Sequence, residues 1–295
     1  MILLDFSQVM MANMHVQINN GVFGEKEFRS LVFQSIRKYN RTYRDEFGEL
    51  VICCDSSRNW RKTVYPLYKA SRSSDRSKGD IDWDEAFRIF NLTINDVYEQ
   101  LPYRVVSVEL AEADDIIGTL ALKKMTENGV IERRDEPVLI ISGDKDFKFL
   151  QAHPHIKQWS PSTKDFLVEE NPKEFFIDLV LRGDKSDGVP NVLSDDDTFI
   201  TEGKVQNKLT KKKKAEILEK IKNGKIDELP ENIQKNLERN RKMIDLSESP
   251  RELRLEILKR SLYPPKGDMR KTFNFLINSG ISTLLNDIEG FKPGV

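Results

Sequence analysis

Cysteine is nearly absent: the 295 residues hold two, adjacent at Cys53 and Cys54. Neighbouring side chains on a strand point to opposite faces. No disulfide framework or zinc spacing can be built from such a pair, and a reducing interior is its natural setting. Histidine is as scarce, and His15, His153 and His155 show no ligand spacing. Long apolar runs are missing too. None reaches the roughly 18 residues a membrane-spanning helix needs, so no membrane association is expected. The opening MILLDFSQVMM has no basic leader and carries Asp5 in its middle, so it reads as a buried strand, not a signal peptide. Charge of one sign is lacking: 47 basic and 48 acidic residues leave a formal net charge of −1. That balance neither indicates nor excludes a nucleic-acid partner; the clustering of charge is more informative.

What is present is a soluble-type mixture, 38% hydrophobic and 32% charged. Short apolar runs at 2–4, 51–54, 105–108, 138–141 and 156–159 read as strands. Helical periodicity fills 25–39, 83–101 and 111–127 between them. Buried strands alternating with helices predict an α/β fold with a mostly parallel central sheet flanked by helices. After Pro172 the strands stop. Helical patterns follow at 173–182, 211–221, 232–244, 251–258, 269–277 and 282–288, with an irregular loop over 183–210. The expected division is an α/β domain over 1–180 and a smaller helical C-terminal domain over 181–295.

Acids recur where strands end. Asp5 follows ILL, Asp55 follows VICC, and Asp144 and Asp146 follow VLIIS in ISGDKDF. Glu112, Asp114 and Asp115 open a helix in AEADDIIG, and Asp184 and Asp187 stand in RGDKSDGVP. The carboxyl ends of parallel strands line one edge of a sheet, where ligand sites form. Crowded carboxylates repel one another and raise their own pKa values. A divalent cation with oxygen ligands removes that penalty, and two such ions can activate water against a phosphodiester. Each acid also has an ordinary reading, as a helix cap, a complement to a helix dipole or a turn residue. Their joint occurrence in order favours metal chemistry.

These runs resemble the flap endonuclease and 5′–3′ exonuclease superfamily. LLDFSQ, VICCDSSRNWR, EADD, SGDKDF and GDKSDGVP match its acidic motifs in order over about the first 190 residues. The resemblance implies a PIN-like 5′-nuclease core. It implies metal ligands at Asp5, Asp55, Glu112, Asp114, Asp115, Asp144, Asp146, Asp184 and Asp187. Their ions would be Mg2+, two in number, with Mn2+ as a substitute. KQWSP at 157–161 and PPKG at 264–267 are similar to the subfamily of T-even bacteriophage 5′-nucleases, the ribonuclease H type. Removal of RNA primers and adjacent DNA from lagging-strand fragments is the implied activity. DNA and RNA–DNA duplexes with 5′ ends or flaps are the implied substrates. A single-strand DNA-binding protein and a sliding clamp are the implied partners, for a monomer in the host cytoplasm. Family members commonly continue after the GDxSD motif with a glycine-rich hairpin that grips duplex phosphates. Here Asn191 replaces the first glycine and no GxG follows, so a lengthened loop without the standard hairpin ion site is expected.

Two basic stretches complete the reading. Trp60, Arg61, Lys62, Tyr65, Tyr68, Lys69 and Arg72 interleave rings with cations, a composition suited to stacking bases and meeting phosphates. By resemblance this lies in the family's arch, near 60–100. Lys69 and Arg72 would stand by the scissile phosphate, with Arg61 at the arch base. The ordinary reading is a solvated basic loop over 65–82. Lys204, Lys208, Lys211, Lys212, Lys213 and Lys214 form the densest positive patch, either a solvated face or a grip on duplex phosphates. Two further classes remain open: a non-catalytic branched-DNA-binding module of the same fold, and a PIN-type single-strand ribonuclease.

Overall fold

The computed structural model describes residues 1–21, 23–72 and 81–294. The part of the 65–82 basic segment over 73–80 therefore lies outside the described residues. The chain divides into two compact units. The first comprises Met1–Arg58, Asp82–Val168 and Arg251–Val295, the second Asn59–Ile81 and Glu169–Pro250.

Among the described residues the first unit has eight strands: β1 (Ile2–Asp5), β2 (Leu50–Cys53), β3 (Arg104–Val106), β4 (Lys123–Met125), β5 (Ile131–Arg133), β6 (Val138–Ile141), β7 (Ile156–Ser160) and β8 (Asp165–Leu167). Six form one sheet in the order β3-β2-β1-β6-β7-β8. All its pairings are parallel except β7 with β8. ILLD, LVIC and VLII are buried along their whole length, as apolar runs should be when helices cover both faces of a parallel sheet. Helices Phe6–Asn19, Glu25–Phe47, Trp83–Gln100 and Ala113–Leu122 provide that cover. The chain winds outward from β1 to β2 and β3, then returns to place β6 on the other flank of β1. The winding reverses between β1 and β6, the position in an open α/β sheet where ligands bind.

The α/β class and mostly parallel sheet are as the sequence predicts; three local expectations need correction. The strand in MILLDFSQVMM stops at Asp5, whose side chain accepts from Gln8 N and starts a helix. Phe6, Val9, Met10 and Met14 then bury one face at helical spacing. The 111–127 helix ends at Leu122, and Lys123–Met125 pairs with Ile131–Arg133 as an antiparallel hairpin. Its turn holds Asn128-Gly129, with Gly129 at φ +78°, a conformation that favours glycine. β8 was not foreseen, its three residues being mostly exposed.

The unit boundaries also differ from a single cut at residue 180. Residues 251–291 return to the first unit through helices Arg251–Arg260 and Met269–Asn278 and the 3₁₀ segment Ser282–Phe291. Fully buried Asn40 donates to Gly290 O and Lys292 O, each at 2.8 Å, and Tyr103 OH donates to Phe291 O at 2.8 Å. Gly267 of the PPKG run lies so close to helix Trp83–Gln100 that a Cβ would stand 2.3 Å from Gln100 C.

The second unit is helical: Arg61–Val64, Pro172–Arg182, Lys211–Lys222 and Glu231–Ile244, with short 3₁₀ turns. Leu181, Val192, Ile217 and Ile233 centre one apolar cluster, and Tyr65, Tyr68, Leu179, Val189 and Met243 another. As expected, no long helix occupies 183–210. Asn191 organises that loop: its Nδ2 donates to Asn207 O at 2.8 Å, and its Oδ1 accepts from Leu193 N at 2.9 Å. Asn236 and Arg239 donate to loop carbonyls from helix Glu231–Ile244. Polar side chains brace this loop where a glycine-rich hairpin would hold itself by backbone geometry.

Candidate active site

In the first unit the acids gather at the carboxyl edge of the sheet. Asp5 is the last residue of β1, beside Cys53 in register, and 7% exposed. Its Oδ1 accepts from Gln8 N at 3.1 Å and its Oδ2 from Ser142 Oγ at 3.0 Å. Asp55 Oδ1 accepts from Ala113 N at 2.7 Å, tying the end of β2 to the acidic helix start. Glu112 and Asp115 form a capping box on that helix, while Asp114 is half-buried in its first turn. Asp144 accepts from Asp146 N at 3.0 Å and caps the 3₁₀ segment Lys145–Ala152.

The ordinary and the functional readings of these acids therefore coexist. A carboxylate offers about four lone-pair sites, and one accepted N–H leaves capacity for other ligands. Asp115 is the exception in exposure, at 0%; its visible work is to hold Glu112 and the helix start.

The electrostatics at Asp5 carry a cost that capping does not explain. Burial, then the charges of Asp55 and Asp144, push its pKa up to about 7 against two hydrogen bonds that lower it. No lysine or arginine pairs with Asp5 among the described residues. A buried carboxylate among carboxylates at a switch point is a donor set suited to a hard cation with oxygen ligands.

Supporting residues appear that sequence reasoning missed. Ser142 holds Asp5, and Gln8 accepts from Gly143 N. Gln158, 1% exposed in the KQWSP strand, donates to Ser142 O at 2.9 Å and to Asp144 O at 2.7 Å. A glutamine inside a buried strand was the available signal, since a buried amide must find partners.

In the second unit the basic segment is more buried than expected. Tyr65 and Tyr68 are 5% and 2% exposed. Their rings belong to an apolar cluster and do not offer free faces to bases, which corrects the stacking expectation. Tyr65 OH donates to Gly188 O at 3.1 Å and to Asp196 O at 2.7 Å. Arg61 is 1% exposed; its Nε donates to Met243 O at 2.9 Å and its guanidinium lies 4.8 Å from the Trp60 ring centre. Its surroundings are those of a brace. Lys69 and Arg72 converge on Asp187, with Lys69 Nζ 3.7 Å from Oδ2 and Arg72 Nη2 2.8 Å from Oδ1. Burial raises the Asp187 pKa, with Lys69 and Arg72 pulling it back. Asp184 is 4% exposed, and its Oδ1 accepts from Ser186 N at 2.9 Å and Ser186 Oγ at 2.6 Å.

The lysine patch separates into paired and unpaired members. Lys204 is 2.8 Å from Asp195 and also bonds Asp197. Lys213 pairs with Glu216 and Lys214 with Asp178. Lys208, Lys211 and Lys212 are exposed and form no ion pair among the described residues. The first turn of helix Lys211–Lys222 contains no acid, so its lysines stand against the positive end of the helix dipole.

Comparison with known proteins agrees with this picture. Residues 2–176 match the family described as 5′-3′ exonuclease, N-terminal resolvase-like domain. The chain is 29% identical over 309 residues to Ribonuclease H of Enterobacteria phage T4, covering 98% of this chain and 95% of that protein. It is 33% identical over 162 residues to the 5′-3′ exonuclease of Buchnera aphidicola subsp. Schizaphis graminum, covering 52% of this chain and 50% of that one. For Flap endonuclease Xni of Shewanella pealeana the figures are 33% over 144 residues, 45% and 49%. A bacteriophage T5 flap endonuclease, solved as a pseudo-enzyme–product complex with DNA and metal ions, shares the fold. Its TM-score is 0.61 at 17% identity, covering 88% of this chain and 96% of that one. The T5 protein co-crystallized with metal ions gives a TM-score of 0.58 at 14% identity, covering 99% and 98%.

Proposed function

This chain belongs to the 5′-3′ exonuclease family, and from that premise we propose that it is a magnesium-dependent, structure-specific 5′-nuclease. It acts as a 5′–3′ exonuclease and 5′-flap endonuclease, removing RNA primers and adjacent DNA from lagging-strand fragments in the host cytoplasm. A single-strand DNA-binding protein and a sliding clamp are the protein partners this reading implies.

The observation that carries the reading is Asp5: a buried carboxylate at the switch point, raised to about 7 by burial and by Asp55 and Asp144. Asp5, Asp55, Glu112, Asp114, Asp144 and Asp146 would supply the oxygen ligands for two Mg2+ ions, with Mn2+ as a substitute. A bound divalent ion contributes Lewis acidity toward the phosphodiester and makes water acidic enough to lose a proton near neutral pH. The rest is the work of the chain. Ser142 and Gln158 hold the strand ends, the Glu112–Asp115 box fixes the acidic helix start, and Lys69 and Arg72 offset charge on the phosphoryl oxygens. Lys208, Lys211 and Lys212 meet duplex phosphates, a contact that weakens with salt.

The test is a time course on 5′-labelled flap, nicked and RNA-primed duplexes, with and without Mg2+, beside the Asp144→Asn variant. Short 5′ products are expected only from the unmodified protein with Mg2+. A flap left intact by both proteins would sink the proposal.

A further inference from the structure

The six-stranded sheet ends at β3, and a cluster of rings and cations that the nuclease reading does not use stands against this strand. The segment KRSLYPPKGDMRK over 259–271 carries five basic residues and one acid. It joins helix Arg251–Arg260 to helix Met269–Asn278. Between this segment, the end of helix Trp83–Gln100 and β3 lies a cleft of about 180 Å³, lined chiefly by Tyr98, Tyr103, Val105, Arg260, Tyr263 and Lys266. All of these residues belong to the first unit.

The walls are held from several sides. Thr272 Oγ1 donates to Gln100 O and Lys271 Nζ to Lys266 O, each at 2.8 Å. Tyr103 is 1% exposed, with its OH committed to Phe291 O, and Pro264 and Pro265 restrict the turn above it. Lys266 is also committed: its Nζ lies 3.0 Å from Glu99 Oε1 and 4.3 Å from the Tyr98 ring centre.

Arg260 is different. It is half-buried, yet its side chain makes a single long hydrogen bond, 3.4 Å to Tyr98 OH, and forms no ion pair among the described residues. A guanidinium is always charged and carries five N–H donors, so most of its capacity is unspent. The same group lies 5.0 Å from the centre of the Tyr263 ring, which is 55% exposed.

From this arrangement we propose that the cleft binds one nucleotide of a single-stranded nucleic acid, its base stacking on Tyr263 and its phosphate meeting Arg260. Three observations select that ligand. The uncommitted guanidinium favours an anion. The exposed ring beside it accepts a flat partner, a mode of binding tolerant of base identity. The volume is well below the roughly 300–1,000 Å³ that encloses a whole small molecule, so the cleft suits one residue of a longer chain. An acidic peptide would satisfy Arg260 and leave the Tyr263 ring unused. The inference rests on the nuclease reading only for the supply of such a strand; binding here needs neither metal nor cleavage.

The test uses the full-length protein in a chelator, so that no strand is cut. Oligothymidylate carrying iodouracil is irradiated with the protein, and crosslinked peptides are mapped by mass spectrometry. Crosslinks are expected at Tyr263 or Tyr98. In fluorescence anisotropy with labelled oligothymidylate, Tyr263→Ala should weaken binding about 5- to 100-fold and Tyr263→Phe less than about twofold. Arg260→Gln should reduce the salt slope by about 0.7, the share of one single-strand phosphate contact. An abasic oligomer of equal length should bind Tyr263→Ala and the unmodified protein alike. Should Arg260→Gln fold poorly, the two Tyr263 variants carry the test, because that ring is largely exposed. Crosslinks confined to other segments would overturn the proposal, as would equal oligothymidylate binding by Tyr263→Ala and the unmodified protein. Displacement by a polyglutamate peptide as readily as by oligothymidylate would overturn it in favour of an acidic partner. A protein that binds as expected but cuts no duplex would sink the nuclease reading alone. One that cuts flaps without crosslinking at the cleft would sink this proposal alone.

Discussion

Asp5 and Asp187 are both largely enclosed aspartates, one at the sheet edge and one in the helical unit, and their surroundings are opposite. Asp5 faces Asp55 and Asp144, and its neighbours' charges reinforce the effect of burial. Asp187 faces Lys69 and Arg72, whose charges oppose it. Burial alone would make the two alike. What separates them is the sign of the neighbouring charges: acids beside Asp5, cations beside Asp187. Asp5 has hydrogen bonds but no basic partner among the described residues, whereas Asp187 has two.

The largest test of that contrast is Asp144→Asn, expected to lower flap cleavage on the order of a thousandfold by analogy with loss of a preorganised charge-stabilising group. Single-turnover cleavage measures it, and a loss below tenfold would place Asp144 outside the chemistry.

Asp5 gives a pH signature. Its carboxyl ordinarily titrates at 3.8 and is raised to about 7 in the fold, so the native state holds an extra proton between those values. Stability of the metal-free protein should therefore fall as pH rises from about 4 to about 7, by up to a few kcal/mol, and level off above. Asp5→Asn should flatten that slope, and Mg2+ should restore stability at pH 7.5. Thermal denaturation in a chelator, with and without Mg2+, reads both effects. An opposite slope would mean that Asp5 is ionised without strain.

Arg61→Ala tests the helical unit. A buried guanidinium that donates to Met243 O and lies against Trp60 should cost roughly 2–4 kcal/mol when removed. The loss should appear in urea denaturation, with cleavage per folded molecule nearly unchanged. A full loss of cleavage at normal stability would return Arg61 to the phosphate.

The smallest effects distinguish paired from unpaired lysines. Lys211→Ala with Lys212→Ala should weaken duplex binding and reduce the salt slope by about one to two. Lys204→Ala, losing a cation already paired with Asp195 and Asp197, should change that slope less. Fluorescence anisotropy across a salt series decides between them, and equal slopes would dissolve the distinction.

Much of the first unit is legible in the chain because its signals are local and periodic. ILLD, LVIC and VLII announce central strands by continuous apolar character, and an acid closing or following each run marks the carboxyl edge. The same locality explains the errors. The opening MILLDFSQVMM looks like one buried strand until Asp5 is recognised as the cap of helix Phe6–Asn19. The hairpin after Leu122 has exposed polar strands with no apolar alternation to announce them. Tyr65 and Tyr68 read as surface rings because their neighbours in sequence are charged. Their partners in space, Leu179, Val189 and Met243, lie more than a hundred residues away.

By itself the sequence determined the α/β class, the ordered acids and the family resemblance, because strand burial and catalytic chemistry impose residue types at short range. Only the tertiary structure decided which acids share a neighbourhood, which cations are already neutralised and where residues 251–291 belong. Those are questions of distance between remote segments. A pKa, an ion pair or a buried ring depends on what folding brings within a few ångströms, and one-dimensional spacing does not encode that separation.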